Sequence, residues 1–331
     1  MSQFDVHKPE ATFKLDPSFD IPKWRKELHE LKEEWTLAIT LNKGDEFEDK
    51  VRRFLDRLDG AIKRKLNFSE VTEDDLRKAG VVRRALQRVP ENVAELAEAY
   101  RINPAIETEI VGLHSRVKDI YGCVNREGPS CSRMVIEAIL FSVVEIVSNC
   151  SPGQDPKSGV TIFPGMKIPP GGLEDAAVQL SSRRISEGIE LWVNGNTDYA
   201  VVEYEDIEEN KEWTLQSRGY AFEIFKNCML LTRAKYEDPE RPFVSYIPEA
   251  ISQAIGLLKS EHLSEVRFCL SDGQMWTFFI LKLNNEGLKC YQTIVLDLNE
   301  NHLESDAELR QIVMFLCEWV RPTRKDLFTM K

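Results

Sequence analysis

The amino-acid sequence predicts an α+β protein in which a helical N-terminal domain precedes a mixed β-sheet with helices packed on it. Apolar residues recur at helical spacing from Pro22 to about Tyr121, whereas from residue 188 onward short apolar segments alternate with turn signals. After residue 130 the predicted order is helix, three strands, helix, three strands, helix. A sheet covered by helices is the architecture that this order favours.

The composition is that of a globular protein of 331 residues, with 42% hydrophobic and 30% charged residues. The chain has no run of 18 apolar residues, and its N-terminus lacks the apolar core of a secretory signal. We therefore expect an intracellular protein, cytoplasmic or nuclear, with no membrane partner. Seven scattered cysteines without a Cys-x-x-Cys pair indicate reduced, buried thiols rather than a zinc site or a disulfide framework.

The net charge of −12 is concentrated in the second half of the chain. Residues 131–331 carry 30 Asp and Glu against 20 Lys and Arg, whereas residues 1–130 are nearly balanced. Because nucleic-acid binding depends on neutralising phosphates, an acidic half is a poor general attractant for DNA or RNA.

The predicted segments are a mobile arm, a helical domain, a sheet domain and a tail, at residues 1–21, 22–125, 131–320 and 321–331. Within the helical domain, Pro22 suits a first helical turn, and Thr72 precedes three acidic residues, as at a capped helix start. Its basic stretches are interleaved with carboxylates at helical distances, which is typical of solvated faces with local ion pairs.

The sheet domain is predicted to begin with an apolar helix near Ser132, followed by a Pro- and Gly-rich loop over residues 150–172. Asn194-Gly195-Asn196 predicts a hairpin turn between the strands "GIELWV" and "DYAVVEY". "CMLLTRAK" is the third strand. It ends in Arg233 and Lys235, which project from one face because strand side chains alternate.

The remaining elements follow in order. "PEAISQAIGLLKS" is an amphipathic helix, and "EVRFCLS" and "QMWTFFILKL" form a hairpin around Asp272-Gly273. "CYQTIVLDL" is a further strand, and "DAELRQIVMFLCEWV" is the closing helix.

Four of these pieces, "GNTDYAV", "MLLTRAK", "PEAISQAI" and "LSDGQMWTFF", occur in an order that resembles the PD-(D/E)XK nuclease superfamily. The closer resemblance is to nuclease-like domains of fungal and crinkler-type proteins, and it covers about residues 131–320. It implies a restriction-endonuclease-like core with the order α-β-β-β-α-β. No comparable resemblance covers the helical N-terminal part.

The resemblance also implies a site. Asp198 matches the first metal-binding carboxylate, Lys235 the lysine that holds the attacking water or a phosphate oxygen, and Gln253 the glutamine of the helix. In an active member, Asp198 would bind Mg²⁺ together with a second carboxylate, and the metal would activate water for phosphodiester cleavage.

The sequence departs from the family at Arg233, which occupies the position of the second carboxylate. A guanidinium stays protonated and cannot ligate Mg²⁺. We therefore expect a catalytically degenerate, nuclease-like protein that acts by binding nucleic acid or protein. Three alternatives remain: a structural Asp198–Arg233 salt bridge, an unrelated interaction module, and an active nuclease with a migrated carboxylate. The candidates for that carboxylate are Glu137, Glu145, Glu190, Glu203 and Glu237.

Overall fold

The computed structural model divides into two compact units, Met1–Arg64 and Lys65–Lys331. It describes residues 29–30, 51, 63–125, 129–150, 158–168, 177–180, 190–205, 225–233, 242–285, 287–298, 304–323 and 327–331. Residues 29–30 and 51 are helical. The predicted arm and the rest of the predicted helices before residue 63 lie outside the described residues. The features below belong to the second unit.

Six α-helices occur in the described ranges of this unit. They are α1 (Glu73–Lys78), α2 (Pro90–Ile102), α3 (Pro104–Cys123), α4 (Pro129–Glu145), α5 (Ile247–Ser260) and α6 (Ala307–Val320). The predicted cap of α1 is confirmed: the Thr72 hydroxyl accepts the Asp75 N–H, and the Asp75 carboxylate accepts the Thr72 N–H. No helix in the described part of the chain is long and apolar enough to cross a bilayer.

The strands of this unit form one mixed sheet. They are β1 (Lys63–Asn67), β2 (Val82–Arg88), β3 (Ser158–Ile168), β4 (Val178–Gln179), β5 (Glu190–Glu205), β6 (Phe225–Arg233), β7 (Glu265–Ser271), β8 (Met275–Asn284), β9 (Gly287–Gln292), β10 (Leu296–Asp297) and β11 (Phe328–Met330).

The strand order is β1-β5-β6-β7-β8-β9-β2-β11, with β3 and β4 paired to β5 and β10 paired to β8. The pairs β6–β7 and β2–β9 are parallel, and β3–β5, β5–β6, β7–β8 and β8–β9 are antiparallel. Helix α5 connects β6 to β7, which is the crossover that a parallel pair requires. The predicted mixed sheet with helices packed on it is confirmed.

The sheet buries both faces. Tyr199, Val201, Met229 and Leu231 belong to a core that includes α2, α3, α4 and α6. The alternate residues of β5 and β6 point to the opposite face, where α5 packs on β5, β6 and β7. Helix α5 is buried nearly all round, from Ile247 to Leu258. Side chains at the Tyr199–Leu231 end of the β5–β6 pairing therefore lie between packed helices on both faces of the sheet.

Two corrections concern the first strands of the sheet. The hairpin predicted at residues 194–196 is wrong, because β5 is one continuous strand through Gly195. Gly195 has φ +145°, and a Cβ there would lie 2.9 Å from the ring of Phe68. Only glycine therefore fits where β5 passes Phe68. The predicted loop at 150–172 instead contains β3, which pairs with β5 from Ser158 to Ile168. Leaving aside the two-residue β4, three strands lie between α4 and α5 as predicted, because these two errors compensate.

Two further corrections concern the domain boundaries. Residues 82–88 were predicted to be helical, but they form β2 and pair in parallel with β9. Gly80, with φ +81°, ends α1, and the following β-branched Val81 and Val82 favour a strand. The division of the chain falls at Arg64/Lys65, so residues 65–125 are part of the sheet unit rather than of a separate helical domain. The predicted tail includes β11, which pairs with β2.

Candidate functional site

Asp198 and Arg233 meet at the end of the β5–β6 pair, where the antiparallel register places Tyr199 opposite Leu231. The backbone N–H of Arg233 donates to Asp198 Oδ2 at 2.9 Å. The guanidinium Nε lies 3.9 Å from Asp198 Oδ1, which is an ionic contact beyond hydrogen-bond distance. The two side chains are 22% and 16% exposed, respectively. The structure thus brings together two of the four residues that the sequence assigned to the site.

A cavity of about 260 Å³ opens beside this pair. Its lining residues come from α4, β3, β5, β6 and α5, and they are Arg133, Pro164, Gly165, Asn196, Thr197, Asp198, Tyr199, Arg233 and Glu249. Pockets for drug-sized ligands start at about 300 Å³. This cavity therefore suits a single small polar group or a few waters rather than a large organic ligand.

The cavity contains two cations and two carboxylates. Arg133 and Arg233 supply the cations, and Asp198 and Glu249 supply the carboxylates. Glu249, in the first turn of α5, is buried with 6% of its surface exposed. The two guanidinium groups can donate charge-assisted hydrogen bonds to a small acceptor group in the cavity.

Tyr199 connects the cavity to α4. Its hydroxyl donates to Glu137 Oε1 at 3.0 Å, and the same oxygen accepts from Arg133 Nε at 2.9 Å. Burial raises the pKa of Tyr199 to about 12, and the hydrogen bond to Glu137 adds to that shift. Tyr199 therefore stays a neutral donor at ordinary pH, and Glu137 is used to orient Tyr199 and Arg133.

Gln253 does not line the cavity. It is fully buried, its Oε1 accepts the Thr232 hydroxyl at 2.7 Å, and its Nε2 donates to Asn196 O at 3.4 Å. Gln253 thus ties α5 to both β5 and β6 from within the protein. The sequence interpretation placed this side chain in the site on the strength of the resemblance, whereas the structure gives it a positioning contact behind the site.

Lys235 lies outside the described residues, as does Glu237. Nothing in the described part of the chain therefore bears on where the predicted lysine stands relative to Asp198. The side chain of Glu190 is also outside the description.

The other candidates for a migrated carboxylate point elsewhere. Glu203 forms an ion pair with Arg321 at 2.5 Å and accepts from Asn227 Nδ2 at 2.6 Å. Glu145 accepts from Asn149 Nδ2 at 2.8 Å. The carboxylate that does share the cavity with Asp198 is Glu249, which lies within "PEAISQAI" and had no predicted role. The sequence feature that could have identified it is an acidic residue in the first turn of a largely apolar helix.

The carboxylates that the structure describes do not fit a Mg²⁺ ion in this arrangement. One oxygen of Asp198 accepts a backbone N–H and the other lies 3.9 Å from the Arg233 guanidinium, whose positive charge would repel a cation there. No group of three or more His, Cys, Asp or Glu residues in the described part of the chain has the geometry of a metal site.

A scan against models of known protein families and a search of the curated proteins each found no match to this chain. The resemblance to the PD-(D/E)XK superfamily therefore stays a prediction that depends on the residues quoted above.

Proposed function

We propose that residues 131–320 form a nuclease-like core that has lost metal-dependent cleavage and binds a nucleic-acid phosphate through Arg233 and Arg133. The observation that carries the proposal is the contact of Asp198 with Arg233. Arg233 occupies the position at which the family needs a carboxylate. Its backbone N–H donates to Asp198, and its guanidinium brings a positive charge beside that carboxylate.

The topology supports the fold part of this proposal. Leaving aside the two-residue β4, the chain runs α4-β3-β5-β6-α5-β7, which is the order α-β-β-β-α-β. The strands β3, β5 and β6 form an antiparallel meander, and β7 is parallel to β6 across α5. Asp198 and Arg233 lie where the pairing of the second and third of these strands ends.

Electrostatics support the loss of cleavage. At ~4 Å and an effective dielectric of about 20, two unit charges interact by roughly 4 kcal/mol. A carboxylate at position 233 would attract Mg²⁺ by an amount of that order, and an arginine repels it. Exchanging one for the other removes the metal and therefore the activated water.

The arginines support phosphate binding. Arg233 Nε lies 3.9 Å from Asp198 Oδ1, and Arg133 lines the same cavity with 57% of its side chain exposed. Guanidinium groups bind phosphate oxygens with charge-assisted hydrogen bonds, and two of them facing one small cavity suit one phosphate group.

The proposal is tested by incubating the full chain with fluorescein-labelled single- and double-stranded DNA and RNA, with Mg²⁺ or Mn²⁺ and with EDTA. We expect no cleavage under any condition. We expect binding that EDTA does not affect, that weakens as salt rises, and that Arg233→Gln and Arg133→Gln reduce. Arg116→Gln, on the exposed side of α3, is the matched control and should bind as the wild type does.

Two results would overturn the proposal. Absence of binding to every nucleic acid would remove phosphate recognition as the function. Metal-dependent cleavage that disappears in Asp198→Ala and Glu249→Gln would show an active nuclease with Glu249 as the relocated carboxylate.

A further inference from the structure

A second and larger cleft, of about 1410 Å³, lies between β2, α2 and the first half of α6. Among the described residues it shares no lining residue with the cavity at Asp198. Its volume exceeds the 300–1,000 Å³ or so that is usual for small-molecule pockets. A segment of a polymer fits this space better than a single small ligand does.

One wall of the cleft is formed by the second half of β2, along the edge where the pairing with β9 has ended. The parallel register of β2 and β9 ends at Ala85 and Gln292. The next residue, Thr293, turns toward β8: its N–H donates to Phe278 O at 3.0 Å, and its hydroxyl accepts the Phe278 N–H at 3.1 Å. The chain therefore continues beside β8 as β10, and the sheet forks between β8 and the second half of β2.

The backbone of β2 points into this fork. On its other edge, Val89 N–H donates to Leu327 O, and Ala85 O accepts from Lys331 N–H. These bonds engage odd-numbered residues with β11. Because backbone groups alternate between the two edges of a strand, Leu86 and Arg88 direct their N–H and C=O groups toward the edge at the fork. A strand laid in the fork would find backbone partners there.

Positive charge marks the same wall. Arg84, Leu86 and Arg88 share one face of β2 by the alternation of strand side chains, and all three line the cleft. Arg84 is exposed, and Arg88 Nη1 donates to the neutral side chain of Gln311 at 2.9 Å from Oε1.

The carboxylates that line the cleft lie outside β2. Three of the four are paired: Arg310 contacts both Glu107 and Asp306, and Arg101 contacts Glu98. The fourth, Glu308, lies in the first turn of α6. The charged side chains that β2 itself contributes to the cleft are those of Arg84 and Arg88.

The floor of the cleft is apolar. Val93, Ala97 and Met314 line it from α2 and α6. A side chain that points from the added strand toward these helices would bury apolar surface at roughly 25 cal/mol per Å².

From these features we infer that the cleft binds an extended peptide segment of a partner protein, which adds as a strand to the second half of β2, on the edge that β9 leaves. Its sequence carries carboxylates at positions i and i+4, opposite Arg84 and Arg88, and an apolar residue at i+2, opposite Leu86. Backbone hydrogen bonds supply affinity and the alternate side chains supply selectivity. The inference does not depend on the proposed nucleic-acid function.

The test uses the fluorescein-labelled peptide Thr-Glu-Thr-Val-Thr-Glu-Thr and the full chain, with fluorescence anisotropy as the readout. Binding is expected for this peptide, and binding of the version with Lys in place of both Glu residues is expected to be absent or much weaker. Arg84→Glu and Arg88→Glu are each expected to weaken the Glu peptide by about fivefold or more and to improve the Lys peptide. Arg116→Glu is the control with the same charge change outside the cleft, and it should leave both affinities unchanged.

A second peptide separates strand addition from side-chain docking without altering the protein. N-methylation at alternate residues, on the edge that faces β2, removes backbone donors and keeps every side chain. We expect this peptide not to bind. The inference fails if the Glu peptide does not bind to the wild type, if both charge versions bind equally, or if the N-methylated peptide binds as well as its parent.

Discussion

The two ends of the β5–β6 pairing each place a carboxylate of β5 beside an arginine, and the two pairs differ. At one end Glu203 and Arg321 lie 2.5 Å apart, with 6% and 15% of their side chains exposed. Asn227 donates to the second oxygen of Glu203, and Arg321 Nη1 donates to Val147 O. At the other end, Arg233 Nε stays 3.9 Å from Asp198 beside an open cavity.

The difference separates a structural ion pair from an adaptable one. Glu203 and Arg321 are joined by a short bond within a buried network, and removing either partner leaves a buried charge. Asp198 accepts the backbone N–H of Arg233, and both side chains line the open cavity. A carboxylate and an arginine thus form a buried ion pair at one end of the strand pair and the wall of a cavity at the other.

The largest effect is expected at the buried end. Glu203→Ala should lower the free energy of unfolding by about 3–5 kcal/mol, because Arg321 then remains buried without its carboxylate. Urea-induced unfolding measures this loss. The double variant Glu203→Ala, Arg321→Ala should be less destabilised than the sum of the single variants, since it removes both charges. Additive losses would show that the two side chains do not act as a pair.

A smaller loss is expected at the cavity end. Asp198→Ala removes the acceptor of the Arg233 N–H and should cost about 1–2 kcal/mol in the same experiment. Asp198→Asn keeps a side-chain oxygen for that bond and should lie within about 1 kcal/mol of the wild type. If Asp198→Ala costs as much as Glu203→Ala, the distinction between the two ends does not hold.

The smallest effect concerns pH at the cavity end. The pKa of Tyr199 is raised to about 12 by burial and by Glu137, whereas an unfolded chain releases this proton near pH 10 or so. The folded state holds the proton longer, so its contribution to stability is complete below about pH 10 and is lost as the pH rises toward 12. Tyr199→Phe should flatten the fall in melting temperature over this range. An unchanged slope in Tyr199→Phe would assign the alkaline loss to other groups.

The sequence predicted the elements with strong periodicity. Helices α4, α5 and α6 and the β7–β8 hairpin at Asp272-Gly273 are confirmed, because each presents an apolar face or turn signal over many residues. Strand β3 was not predicted because Pro164 and Gly165 interrupt its sequence pattern, and pairing with β5 outweighs these local signals. Strand β2 was not predicted because it depends on pairing with β9, which lies some two hundred residues away in sequence.

The candidate site was predictable in part. Strand alternation and order brought Asp198 and Arg233 into one neighbourhood, and the structure describes their contact. Glu249 and Arg133 could not be located from sequence, because both depend on how α5 and α4 pack at the end of the sheet. The resemblance assigned Gln253 to the site, and the sequence could not show that this side chain is buried against Thr232 of the sheet.

Calorimetric titration of Mn²⁺ tests most directly whether Arg233 has replaced metal binding at Asp198. The wild type should give no binding heat, and Arg233→Glu should gain a site, because a carboxylate then replaces the repelling charge. That gain should vanish when Asp198→Ala is added to Arg233→Glu. Binding of Mn²⁺ to the wild type that is lost in Asp198→Ala, or no gain in Arg233→Glu, would contradict the account.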